Sequence, residues 1–184
     1  MNRIGERVPP AATLLCAPVP DPALPAVSPE QMDAATFAYI SRVRVPFEQL
    51  RQAAGQIAGV LVLAVTSQQG TAGHPMLDLA DTARQSAADV VLGCRPPQGG
   101  AHHHRHLVLA TRAIAAAIDA ARLNRRAADD TATGAVLTPL RAGYQELQWA
   151  AAALPGFETV AFSQGCCARH SVPAAPPGIL RATA

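Results

Sequence analysis

Residues 47–65 read FEQLRQAAGQIAGVLVLAV, and the spacing of their apolar side chains decides the fold class. Phe47, Leu50, Ala54, Ile57, Leu61 and Ala64 recur three and four apart, which is the period of one helix face; a half-buried strand would alternate every second residue. Taken alone, residues 60–65 also suit a short buried strand, because a continuous apolar run that short has no readable period. A strand needs a partner, and no other segment offers one. Helix is therefore the preferred reading, with Gly70 expected to end it.

Upstream, Ser28-Pro29-Glu30-Gln31 has the form of a helix start: a capping hydroxyl, proline at the first helical position and Gln three residues after the cap. That helix is expected to run to about Arg44. Pro46 then kinks or breaks it, since proline removes a backbone donor and crowds the preceding turn. Before it, residues 1–27 hold Pro9, Pro10, Pro18, Pro20, Pro22 and Pro25, a density that forbids a continuous helix. They are read as an extended arm, whose Leu14, Leu15 and Cys16 suit docking.

Downstream, a second stripe runs through Met76, Ala80, Ala83, Ala87, Val90 and Cys94, opened by Pro75 and closed by Gly93 and Pro96-Pro97. After the Gln98-Gly99-Gly100 loop, a third helix is expected over about 101–128, with His103, Leu107, Ala110, Ile114, Ala117 and Ala121 on its apolar face. Thr138-Pro139 reads as the cap of a fourth, or lies just inside one begun slightly earlier. Its stripe is Leu137, Leu140, Tyr144, Leu147, Ala151 and Leu154, and Pro155-Gly156 stops it. Helices joined by short connections pack antiparallel to their predecessors. The fold class expected is thus all-α, an up-and-down four-helix bundle over residues 28–154, with the arm before it and an irregular Cys/His-bearing segment with a Pro-rich tail over 155–184.

Composition agrees with helices. Hydrophobic residues are 49% of the 184, aromatics only 4%; Ala-rich, aromatic-poor cores suit helices, because strands favour aromatic and β-branched side chains. All 15 basic residues are Arg, which excludes a lysine Schiff base and a P-loop lysine. A net charge of +2 gives no reason to expect a nucleic-acid partner. The N-terminal residues lack a signal-peptide apolar run, and the longest such run, 57–65, is about half of the ~20 residues a membrane helix needs. A soluble cytoplasmic protein is expected, with no membrane partner and with its thiols reduced.

The bundle topology also gathers chemistry. Cys94 ends the second helix close to His102, His103, His104 and His106 at the start of the third, and the fourth helix returns to the same pole and delivers Cys166, Cys167 and His170. His74, at the other end of a helix about 30 Å long, is left out. His102 and His106 are four apart on one helix face, and Cys167 and His170 have the spacing of a loop chelate. With His103 nearby, this donor set suits Zn, reduced copper or another transition metal. The same residues also fit plainer roles: histidines at a helix start are often a solvated face, and buried Cys packs as a small hydrophobe.

The dinucleotide, P-loop, zincin and nucleophile-elbow motifs are absent, and no Glu-x-x-His pair supports a di-iron centre. These absences argue against an enzyme. The reading is a small non-catalytic binding or regulatory protein holding a metal at one pole. Two alternatives stand beside it: a protein–protein interaction module, homodimer or adaptor, whose cysteines are incidental, and, less favoured, a thiol redox sensor or enzyme using Cys166 or Cys167 beside Arg169.

Overall fold

The computed structural model describes residues 32–125 and 130–159. The arm over 1–27, the Ser28–Gln31 capping box and Cys166, Cys167 and His170 lie outside them. Among the described residues there is no strand; the elements are α1 (Ala34–Ser67), α2 (Pro75–Leu92), a 3-10 turn (Gln98–Gly100), α3 (Ala101–Leu123) and α4 (Asp130–Ala153).

The decisive stretch is helical throughout. Phe47, Leu50, Ala54, Ile57, Leu61 and Ala64 are all buried on one side of α1. Of the kink or break expected at Pro46, the break does not occur: α1 runs through it, although proline cannot bond the carbonyl of Arg42. Val43, Pro46, Phe47 and Leu50 are buried together, and that packing holds the helix where its backbone ladder is interrupted. Its start is corrected too, since α1 begins after Asp33, whose carboxylate accepts from the Thr36 N–H at 2.7 Å. Its end falls at Ser67, before Gly70, with Gln68 in the left-handed region at φ 55°.

Gly70 serves a close approach instead. A Cβ there would collide with the backbone of Arg125, so the turn after α1 lies flush on the end of α3. Buried Thr71 donates its hydroxyl to the Ala121 carbonyl at 2.5 Å, and the Ala72 N–H bonds Asn124 O at 2.9 Å. Alongside, Arg122 reaches Asp78 at 3.1 Å and Asp81 at 2.9 Å, tying α3 to α2.

The α3 stripe is buried as expected, from His103 to Ala121, but the helix stops at Leu123. The second and fourth stripes are buried as expected at Ala80, Ala87 and Cys94 and at Leu140, Leu147 and Leu154, while their other positions give way to a neighbour: Leu77 and Val91 in α2, and Val136, Gly143 and Ala150 in α4. Met76, Ala83, Leu137 and Ala151 flank the core, partly buried. The reason in α4 is Gly143, where an added Cβ would stand 3.0 Å from Ile114 Cγ1; helices approach most closely where a side chain is missing. Thr138 is not a cap, because α4 begins at Asp130 and the Thr138 hydroxyl bonds back to the Gly134 carbonyl at 2.9 Å.

α3 packs most extensively on α4, and α1 on α2; α2 also meets α3, α1 meets both α3 and α4, and α2 and α4 do not touch. By length and composition α1 is the one helix among the described residues apolar enough to cross a membrane, with a mean hydropathy of 1.2. The unbroken run 57–65 understated this, because the polar residues around it are uncharged. Of that window 39% is buried inside the protein.

Candidate functional site

One pole joins the first turns of α1, the residue after the α2–loop junction, the start of α3 and the residues after α4. His103 is fully buried there, its Nδ1 3.0 Å from the Tyr39 hydroxyl and its ring 4.3 Å from that of Phe157. Phe157 also packs on Phe47, ring centres 5.1 Å apart. Phe157, just after α4, thus lies beside the start of α3; residues 166–170 lie outside the described ones.

Burial makes both partners neutral. It pushes the His103 imidazole down to about 3, with the neighbouring His104, His106 and His102 adding to the effect. It pushes the Tyr39 phenol up, helped by the Cys94 thiol beside it. Gly100 makes this packing possible, since a Cβ there would stand 2.8 Å from the Tyr39 ring.

On the adjoining face of α3, His106 Nδ1 lies 2.6 Å from Glu146 Oε2 on α4. A carboxylate oxygen accepts, so Nδ1 donates the proton and the ring is oriented. The His102 ring lies 4.6 Å from that of His106, as expected for residues four apart, and the Trp149 ring lies 5.5 Å from it. His104 is half-buried, 6.1 Å from Tyr39, and burial lowers its pKa. His74 stands apart and caps α2, its Nδ1 accepting from the Met76 N–H at 3.2 Å.

The structure thus brings Cys94, His102, His103 and His106 to one pole, but in two different roles. Cys94 and His103 belong to the core; His106, equally buried, is bonded to Glu146, and the half-buried His102 packs against its ring. Among the described residues no group of three or more His, Cys, Asp and Glu is gathered closely enough to hold a metal ion.

A second surface lies on the outer side of α1. Residues 52–69 carry no charge at all. The core takes only one side of that run, leaving Val62, Leu63 and Val65 exposed at 62%, 51% and 60%. Gly55, Ala58, Gly59 and Thr66 are exposed beside them. The only hydroxyls there bond back to their own helix: Thr66 donates to the Val62 and Leu63 carbonyls at 3.0 Å, and Ser67 to Leu63 O at 2.7 Å. Between the exposed amides of Gln52 at one end and Gln68 and Gln69 at the other, this face offers apolar contact. The signal was available, because a helix segment that is apolar all round is one whose every face needs cover.

No family model, no curated protein and no solved structure matches this chain, so function is argued from its own residues.

Proposed function

We propose that this chain is a non-catalytic protein-interaction module, an up-and-down four-helix bundle that docks through the uncharged outer face of α1. The observation that carries this reading is the exposure of Val62, Leu63 and Val65 on a helix whose opposite side already supplies the core. Contiguous apolar surface of this kind marks a docking site more often than isolated exposed residues do. The ring of contacts α1–α2–α3–α4–α1 supports the bundle. The histidine pole then has an architectural role: Tyr39–His103 and His106–Glu146 fix how the helices meet.

The test is a photo-crosslinking amino acid placed at Val62, or at exposed Ala142 on α4 as the control, in cells expressing the full chain. A discrete protein adduct from position 62 and none from 142 is expected. Equal labelling at both, no adduct at either, or adducts only with lipid would overturn the reading.

One observation favours a second reading. A pair of imidazoles four apart, one of them oriented by a carboxylate, resembles part of a Zn site with its outer support in place. Cys166, Cys167 and His170, which the sequence offers as further donors, lie outside the described residues. Metal analysis of the untagged full chain decides it: bound Zn that falls when Cys166 and Cys167 are changed to Ser supports this reading, and a metal-free protein ends it.

A further inference from the structure

We infer that the occupant of the α1 face is a second copy of this chain, packed α1 against α1 in antiparallel register across a two-fold axis between Gly59 and Val62. The inference rests on the docking reading above and names its partner.

The first argument is electrical. An acidic or basic partner would find nothing to complement in residues 52–69, which hold no charge. At the edge of the face, Arg51 and Glu48 neutralise each other, 2.6 Å apart. A two-fold contact places the same patch on both sides, so any single-sign charge would repel its own image. This face has none.

The second argument is shape. Gly55 and Gly59 leave a notch, with no heavy atom within 4 Å of where either Cβ would stand. One turn further on, Val62, Leu63 and Thr66 stand out as a ridge. An antiparallel pairing that sets Gly59 opposite Val62 also sets Gly55 opposite Thr66 and Ala58 opposite Leu63. Each small residue then meets a larger one, and ridge fills notch twice by symmetry. A parallel, in-register pairing would put valine on valine and leave the glycines facing a gap.

Sedimentation equilibrium of the full chain tests this, with expected mass moving from 19.1 kDa toward twice that value as concentration rises. Gly59→Val sets valine against Val62 and is expected to weaken the dimer roughly tenfold, the effect of overfilling a packed contact. Adding Val62→Ala restores a small-against-large pair, and the double variant is expected to regain most of the lost affinity. Position 59 is open and Val is a better helix residue than Gly, so an unchanged thermal melt at high dilution confirms that each variant folds. A monomer at every concentration overturns the inference. So does a dimer indifferent to Gly59→Val, or one lost in the single variant and not recovered in the double. If the chain is monomeric while Val62 still crosslinks to a different protein, the docking reading stands and only the second copy fails.

Discussion

Replacing His103 by Leu should make the protein less stable at neutral pH yet more stable than the wild type in acid. His103 is fully buried and neutral, its proton affinity lowered by burial to a pKa of about 3 from 6.5. In the unfolded chain the imidazole binds a proton near 6.5; in the folded one it resists. The stability tied to this group is therefore complete above about pH 6.5 and is lost as pH falls toward 3. One such group changes the unfolding free energy by about 1.4 kcal/mol per pH unit inside that window, or roughly 2–3 kcal/mol by pH 4.5. Burial of His104 acts in the same direction. His103→Leu removes this proton-linked loss but leaves the buried Tyr39 hydroxyl without its partner at 3.0 Å, which costs about 1–2 kcal/mol. The two stability curves should cross near pH 5.5. Urea unfolding followed by circular dichroism between pH 7.5 and 4.5 measures both. Parallel curves, with the variant below the wild type throughout, would refute the claim that His103 is held neutral by burial.

Glu146→Gln keeps an acceptor for His106 but removes its charge; a loss of about 1 kcal/mol is expected for this largely buried pair. Nitrogen NMR of the His106 ring should show a weaker preference for the proton at Nδ1. Gly143→Val drives a branched side chain into Ile114, 3.0 Å from the Cβ position; overpacking of this kind costs about 1–3 kcal/mol, read as a lower urea midpoint with an unchanged slope. The same substitution at Gly59, over open space, should leave the dilute monomer's midpoint level or slightly raised.

What was legible in the sequence was whatever repeats. The stripes of α1 and α3 are continuous, and their residues are buried where spacing put them, His103 included. The stripes of α2 and α4 hold at Ala80, Ala87, Leu140 and Leu147, and their remaining positions lie one residue off because Ala and Gly carry little signal: Gly143 sits at a close α3–α4 approach and has no side chain to count. Local backbone chemistry allows a kink or a break at Pro46, and at Pro139 a cap or a place just inside the helix; both prolines lie inside helices, and at Pro46 tertiary burial outweighs one missing hydrogen bond. In the candidate site, the convergence of Cys94 and the histidines followed from topology. Their partners did not, because Tyr39 is 64 residues from His103 and Glu146 is 40 from His106, and no local spacing encodes such pairs. The outer face of α1 lies in the same run that reveals the helix, where the period marks the buried stripe and says nothing of Val62, Leu63 and Val65 on the other side.

The most direct measurement on that face is the solvent exposure of the Val62 and Leu63 methyl groups, read by NMR with a soluble paramagnetic probe at rising protein concentration, with Leu123, 80% exposed, as the reference. Paramagnetic broadening at Val62 and Leu63 should fall as the concentration rises while that of Leu123 stays constant. If the three remain equally accessible at every concentration, the α1 face docks no second copy of this chain.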